Sequence, residues 1–168
     1  PLRKRYDTYA NYRPVRLPLS LEDASPLKKE RLGKGVDILM IRELVGGIYF
    51  GKKERHQNSA SDLMEYTREQ VERIARLAFA EAKKLGVMLH NIHKQNVLQS
   101  SVFWNEVVDE IHQKEFSDVA LEHMLVDNAA YQLVINPSQF RVMLLENMMG
   151  DILTDQAGGI LIRDFHGS

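Results

Sequence analysis

The chain has 168 residues, enough for one domain with a hydrophobic core of its own. Hydrophobic residues make up 44% of it and charged residues 27%, which excludes a disordered protein, and 22 Lys and Arg against 23 Asp and Glu argue against a nucleic acid partner. Cysteine is absent, which excludes disulfides and thiolate sites and favours the cytoplasm, and no apolar run reaches the roughly 20 residues needed to span a membrane.

The first third of the chain predicts extended structure and loops. Residues 1–34 combine most of the prolines with polar sequence, which indicates a short helix or strand followed by a loop. Residues 36–41 are a short apolar run after a glycine and predict a buried strand. Residues 46–51 are bracketed by glycines and predict an extended piece. Residues 52–62 hold almost no apolar side chain, which predicts a loop or a protruding hairpin.

The clearest helix begins at Thr67. Thr67 and Gln70 have the spacing of a capping box, apolar residues then recur on one face, and Gly86 is the natural stop. Residues 87–89 predict a strand, and a second amphipathic helix is predicted from about Ser101.

The alternation of strands and helices continues to the end of the chain. An apolar segment at 119–124 is followed by a predicted helix at 127–133, a strand at 142–145 and a helix from about Asp151. Alternation of this kind is typical of α/β proteins. We therefore predict an α/β fold, as a single layered domain of alternating strands and helices.

Two carboxylates stand four residues apart at the start of the last helix. Asp151 and Asp155 share one helix face, where like charges repel by a few tenths of a kcal/mol. A divalent cation would turn this repulsion into attraction, and ligands that are all oxygens suit Mg²⁺ or Mn²⁺. The alternative is an acidic first turn on a solvated helix, which the helix dipole favours.

Two further groups of residues have the chemistry of a site for a small acid. Arg3, Arg13 and Arg42 are suited to gripping the carboxylates of a polyanionic substrate in bidentate fashion. Tyr49 and Lys94 are candidates for moving a proton. The alternatives are arginines and a lysine on a solvated surface, and a tyrosine that only packs between glycines.

Several segments together resemble the 3-isopropylmalate dehydrogenase family in order and spacing, over residues 1 to about 157. The glycine-bracketed run at 46–51 favours this branch over the related isocitrate dehydrogenases. The segments that carry the resemblance are 2–4, 10–15, 24–28, 42–51, 94–98, 126–130 and 146–155.

The resemblance implies an NAD-dependent oxidative decarboxylation of 3-isopropylmalate, a step of leucine biosynthesis, with Mg²⁺ or Mn²⁺ bound beside the substrate. It also implies a role for each candidate residue. Arg3, Arg13 and Arg42 would bind the substrate carboxylates, Tyr49 and Lys94 would be catalytic, and Asp127, Asp151 and Asp155 would hold the metal.

The resemblance further implies a homodimer with a shared site. Lys94 and Asp127 would come from the partner subunit, and the polar stretch after residue 51 would form an arm between subunits. The helix after Lys94 and the helix that bears Asp151 would form a four-helix bundle with their mates. Phe103, Trp104 and Val107 are suitable bundle residues, although a core helix would look the same.

The chain departs from the family pattern in several places. The glycine-rich turn and the loop that bind the dinucleotide have no counterpart in it, since the glycines at 46–47 do not lie between a strand and a helix. The leucines that precede Leu2 in the family are also absent. His93 and Gln95 flank Lys94 where the family has aspartate and alanine, and residues 140–142 replace a segment that holds an aspartate.

We therefore divide the chain into a metal-binding, substrate-binding and dimerisation domain at 1–157 and a tail of unknown role at 158–168. Within the tail, residues 160–165 are either an added strand or unstructured sequence. A start without methionine and an end on Gly167-Ser168 suggest that neither end is a natural terminus. We expect binding of NAD by this chain to be doubtful and the chain alone to be inactive. The alternative function is a non-catalytic dimeric module or engineered scaffold that retains the fold.

Overall fold

A computed structural model describes residues 8–161, with side chains for 8–159. Five strands form one sheet in the order β1-β2-β7-β5-β6, in which β1 is antiparallel to β2 and the other neighbours are parallel. Two short exposed strands, β3 and β4, form a separate antiparallel hairpin. The strands are β1 (Ala10–Leu17), β2 (Val36–Glu43), β3 (Lys53–Arg55), β4 (Ala60–Asp62), β5 (Leu89–His93), β6 (Leu121–Leu125) and β7 (Val142–Leu145).

Helices cover both faces of the sheet. They are α1 (Lys29–Leu32), α2 (Arg68–Leu85), α3 (Gln99–Glu115), α4 (Val126–Ile135) and α5 (Asn147–Leu161), with short 3-10 turns at Leu19–Ala24, Gly47–Tyr49 and Pro137–Gln139. In the part of the chain that the structure describes, none of the helices is long and apolar enough to cross a membrane.

The alternation of side chains along the central strands divides the core in two. Val142 and Leu144 of β7 point into a core formed with α2 and α3, whereas Met143 and Leu145 point into a second core formed with α4 and α5. Because both faces are covered, β7 is a continuous apolar run, as expected for a parallel strand inside an α/β sheet. The α/β prediction is confirmed.

Several predicted elements are confirmed with shifted ends. The strand at 36–41 runs on to Glu43, and the polar stretch at 52–62 is a hairpin. Helix α2 has Thr67 as its N-cap in a complete capping box with Gln70, and it ends at Gly86, which has a positive φ of 64°.

Two boundaries differ from prediction for local reasons. Strand β5 begins at Leu89 rather than at residue 87, because the amide of Val87 still bonds the carbonyl of Ala82 at the end of α2. Helix α5 begins at Asn147 rather than near Asp151, because the Glu146 carboxylate accepts the amides of the first turn.

Residues 46–51 were predicted as extended, and this was wrong. They contain a 3-10 turn at Gly47–Tyr49 instead. Gly47 has a φ of 73°, and a side chain there would collide with the ring and hydroxyl of Tyr66. The glycines therefore serve a sharp turn under an aromatic ring, which turns Tyr49 back toward the sheet.

Trp104 and Val107, for which a bundle between subunits and an ordinary core helix are both open in the sequence, lie in the core of the single chain. They are 2% and 0% exposed within a single chain, where they pack with α2, and the Trp104 ring lies edge-on to Tyr66. Large exposed apolar side chains occur instead on α4 and α5, where Tyr131 and Ile152 are each 60% exposed.

The described residues end short of both ends of the chain. Arg3 lies outside the described residues, as do residues 162–168. Ile160 and Leu161 belong to α5, so the strand predicted at 160–165 does not begin there. The division of the chain at residue 157 stays a prediction, and α5 continues past it.

Candidate functional site

The candidate residues gather at one edge of the sheet. Arg42 lies near the end of β2, Asp151 lies on the helix that follows β7, Lys94 follows β5, and Asp127 follows β6. These four strands are neighbours, and the three pairs they form are parallel, so their carboxyl ends share one edge. This edge is where ligands bind in open α/β sheets.

Arg42 is a buried arginine held on two sides. Its side chain is 4% exposed, and its Nε and Nη2 atoms donate to Oδ1 of Asn147 at 3.2 and 2.9 Å. Its Nη1 atom donates to Oδ1 of Asp151, whose side chain is 48% exposed. A planar guanidinium fixed in this way has one defined direction in which to meet a second carboxylate.

Tyr49 completes this group with Arg42 and Asp151, which we name the arginine cluster. Its hydroxyl donates to Oδ2 of Asp151 at 2.5 Å, and the Arg42 guanidinium lies 5.6 Å from the centre of its ring. The hydrogen bond to Asp151, followed by partial burial, raises the pKa of Tyr49. The phenol therefore keeps its proton at neutral pH, where that proton forms the hydrogen bond to Asp151.

Residues that the sequence analysis did not single out support the arginine cluster. The Asn147 side chain also donates to the carbonyl of Gly46 at 3.0 Å, so one amide joins Arg42 to the turn that leads to Tyr49. The Asn147 backbone amide donates to the Tyr66 hydroxyl at 2.9 Å, and that hydroxyl donates to Glu146 at 2.6 Å. Burial raises the pKa of Tyr66, and the Glu146 carboxylate raises it further.

Gly150 lets the helix approach Arg42. A Cβ atom on Gly150 would lie 2.6 Å from Cγ of Arg42, closer than real Cβ contacts allow. The signal for this residue in the sequence is a glycine inside a helix next to Asp151, where alanine would favour the helix by about 1 kcal/mol.

Lys94 and Asp127 form a second group, which we name the lysine pair. Lys94 Nζ donates to Oδ1 of Asp127 at 2.5 Å, across the ends of neighbouring strands. The two side chains are 27% and 62% exposed. The hydrogen bond from Lys94 lowers the pKa of Asp127, which therefore stays ionised.

Asp155 and Arg13 are the remaining predicted site residues that the structure describes. Asp155 is exposed, one turn beyond Asp151 on the same helix. Arg13 is exposed on β1 and lies opposite Met40 in the strand register, while Asn11 lies opposite Arg42. Arg13 therefore faces the same side of the sheet as Arg42, and its Nε donates to Asn11 at 2.7 Å.

The carboxylates fit a hard cation by type. Asp127, Asp151 and Asp155 offer only oxygen ligands, as Mg²⁺ and Mn²⁺ prefer, and Asp127 and Asp151 are accessible. Within residues 8–159, no three His, Cys, Asp or Glu side chains of one chain are grouped closely enough to hold a metal.

Known proteins are similar to nearly the whole chain. The sequence profile of the isocitrate/isopropylmalate dehydrogenases matches residues 1–161. The 3-isopropylmalate dehydrogenase of Campylobacter jejuni is 51% identical over 160 residues, which cover 95% of this chain and 44% of that enzyme.

Solved structures show the same similarity. The isocitrate dehydrogenase of Methylococcus capsulatus has a TM-score of 0.83 at 29% identity, over 95% of this chain and 47% of that chain. A β-decarboxylating dehydrogenase of Thermococcus kodakarensis, in its apo form, has a TM-score of 0.74 at 35% identity, over 93% and 42%. The chain spans less than half the length of the relatives named here.

Proposed function

The chain belongs to the isocitrate/isopropylmalate dehydrogenase family, and from this premise we propose that it forms the substrate- and metal-binding part of a 3-isopropylmalate dehydrogenase. The reaction of the whole protein would be the NAD-dependent oxidative decarboxylation of 3-isopropylmalate in leucine biosynthesis. The observation that carries the proposal is the arginine cluster, in which a buried arginine, a protonated tyrosine and a carboxylate meet at the carboxyl ends of parallel strands.

Substrate binding is assigned to the arginines. Arg42 is held by Asn147 and Asp151 in a fixed plane, which suits it to pair with a substrate carboxylate. Arg13 lies on the same side of the sheet and is free to meet a second carboxylate from there. Arg3 is assigned to the same task by its place in the family pattern alone.

Proton transfer is assigned to Tyr49 and Lys94. Lys94, in its neutral form, would take the proton of the substrate hydroxyl when hydride passes to NAD, and Tyr49 would donate a proton to the substrate carbon that loses carbon dioxide. The position of the Tyr49 hydroxyl supports its role as a donor, because it lies in the arginine cluster with its proton directed at Asp151. The hydrogen bond to Asp127 places Lys94 at the same edge of the sheet.

The metal is assigned to Asp127, Asp151 and Asp155. A bound Mg²⁺ or Mn²⁺ would stabilise the negative charge that develops on the substrate oxygen. The Asp151 side chain is 48% exposed, and its two oxygens accept from Arg42 and Tyr49, so the carboxylate is fixed at the edge of the sheet.

We propose a homodimer in which Lys94 and Asp127 complete the site of the partner subunit. Asp127 lies on α4 and Asp151 on α5, and these helices carry the exposed apolar residues Tyr131 and Ile152, each 60% exposed. Apolar side chains beside exposed charges support contact with a second chain at this surface. The exposed β3–β4 hairpin would be the arm between subunits.

A mixing experiment tests the shared site. Asp127→Asn and Asp151→Asn proteins should each lose Mn²⁺ binding, measured by electron paramagnetic resonance titration. Mixing them under subunit exchange should restore about one quarter of the wild-type sites, because half of the dimers are mixed and each mixed dimer holds one intact site of two.

The matched control is a mixture of Asp151→Asn with Asp155→Asn protein. Both changes affect the same half of the site, so a mixed dimer has no intact site from this pair and should bind no Mn²⁺. Restoration in this control, or none in the first mixture, would contradict the shared arrangement. Light scattering that reports a monomer at micromolar concentration would contradict it as well.

A further inference from the structure

A chain of buried amide side chains ends at the turn that bears Lys94. Trp104 Nε1 donates to Oδ1 of Asn91 at 2.9 Å, and Asn91 Nδ2 donates to Oδ1 of Asn105 at 2.7 Å. Asn105 Nδ2 then donates to Oε1 of Gln95 at 2.8 Å. Asn91, Trp104 and Asn105 are 0%, 2% and 6% exposed, so these hydrogen bonds lie in the core between the sheet and α3.

The direction of every hydrogen bond in this chain is set by the indole. Trp104 Nε1 only donates, so Asn91 must turn its oxygen toward the indole and its amino group toward Asn105. Asn105 must then turn its own amino group toward Gln95. The Asn91 amino group also lies 2.9 Å from Nδ1 of His123, which therefore accepts. Only a carbonyl or carboxylate oxygen at position 95 satisfies the end of the chain.

The turn itself is also held by hydrogen bonds of its backbone, one of which runs from the amide of Gln95 to Nδ1 of the buried His93 at 3.2 Å. The carbonyl of Lys94 accepts the amides of Val97 and Leu98, both at 3.0 Å. The amide of Lys94 donates to Oγ of Ser101 at 3.1 Å. Among the described residues, the side chain of Gln95 makes the one hydrogen bond that connects this exposed turn to the buried amides of Asn105 and Asn91.

We propose that Gln95 is a positioning residue for Lys94, acting through Asn105 and the buried amides that end at Trp104. The inference rests on the proposed function of Lys94 in proton transfer. The side chain of Gln95 fixes the turn, and the turn fixes the direction from which Lys94 reaches Asp127. Without the Gln95 carbonyl, a buried amino group loses its acceptor, the turn loosens and the lysine samples other directions.

The test is amide hydrogen exchange by NMR on the full 168-residue chain. In Gln95→Ala, the amides of Lys94, Val97 and Leu98 should exchange about tenfold faster. The chain has one tryptophan, so the single indole N–H resonance should shift, because the hydrogen-bonded chain that begins at the indole loses its last acceptor. Gln95→Glu keeps an acceptor oxygen. It should retain the wild-type protection of these amides and the wild-type chemical shift of the indole.

A second measurement reports on Lys94 itself. The rate at which a small acylating reagent modifies Lys94, relative to the other lysines, should rise in Gln95→Ala and stay unchanged in Gln95→Glu. Asn96→Ala, an exposed neighbour in the same turn, is the control for a general loss of order and should change neither the exchange nor the labelling.

Unchanged exchange and labelling in Gln95→Ala, or equal increases in Asn96→Ala, would overturn the inference. The wild-type chain is titrated with Mn²⁺ and 3-isopropylmalate alongside. A wild-type chain that binds neither contradicts the proposed function, whereas the exchange and labelling results decide on the role of Gln95 independently of that outcome.

Discussion

Gly150 of α5 packs directly against the aliphatic stem of Arg42, so that the helix bearing Asp151 touches the strand that presents the arginine. Any side chain at position 150 would push the helix and the strand apart. Glycine in a helix costs stability relative to alanine, and this glycine therefore exchanges helix propensity for the geometry of the arginine cluster.

Gly150→Ala should lower the free energy of unfolding by about 1–3 kcal/mol, because the new methyl group overpacks Arg42. Gly158→Ala in the same helix meets no atom within 4 Å and should raise it by up to about 1 kcal/mol. Urea unfolding of both variants measures the difference. Two changes of the same sign would contradict the close approach.

Asn147→Leu should weaken the arginine cluster without removing any charge. The change leaves the Arg42 guanidinium without the oxygen that accepts two of its hydrogen bonds, and it frees the carbonyl of Gly46. We expect a loss of about 2–5 kcal/mol of stability, since a buried charge is left with one partner. Asn128→Leu, an exposed asparagine on α4, is the control and should change stability by less than about 0.5 kcal/mol.

Mn²⁺ should raise the thermal stability of the chain. A ligand present at 100 times its dissociation constant adds about 2.7 kcal/mol, which calorimetry detects as an upward shift of Tm. The Asp151→Asn and Asp155→Asn double variant should show no shift, because both oxygen ligands on α5 become neutral amides. An equal shift in the double variant would place the ion elsewhere.

The 168-residue protein should form no NADH from 3-isopropylmalate and NAD in the presence of Mn²⁺. The reason is chemical: among the elements at residues 8–161, none of the turns between a strand and a helix is glycine-rich, which is the usual cradle for the phosphates of a dinucleotide. Absorbance at the nicotinamide band measures the reaction. Turnover at even a small fraction of an ordinary enzyme rate would contradict this prediction.

The local patterns of the sequence predict the elements well where one rule dominates. Thr67 and Gln70 form the capping box that their spacing indicates, and Gly86 ends the helix with a positive φ. The prediction of an extended piece at Gly47–Tyr49 was wrong for a tertiary reason. The turn there packs against Tyr66, which lies further along the chain. No local pattern contains that contact.

The candidate site could likewise be predicted only in part from the sequence. Arg42, Tyr49 and Asp151 contact one another in the structure, whereas spacing alone favours a solvated helix turn for Asp151, and their roles stay predictions. Asn147 could not be assigned because its role depends on the register between β2 and β7. Gln95, a departure from the family pattern, has a partner in Asn105 that only the packing of α3 on the sheet reveals.

Stability should fall as the pH drops below about 7, in part because of His90. Its ring is 3% exposed and packs edge-on to Phe140, and within the described part of the chain its buried Nδ1 has no hydrogen bond partner. Burial lowers the pKa of His90, although Glu122 opposes this in part. Between the ordinary histidine pKa of about 6.5 and the lower folded value, the unfolded state binds more protons, so the free energy of unfolding decreases as the pH falls through this window.

His90→Gln should flatten this dependence in urea unfolding measured from pH 7.5 to 5.5, while His56→Gln in the exposed hairpin loop should leave it unchanged. An unaltered slope in His90→Gln would show that the buried ring titrates no differently in the folded and unfolded chain.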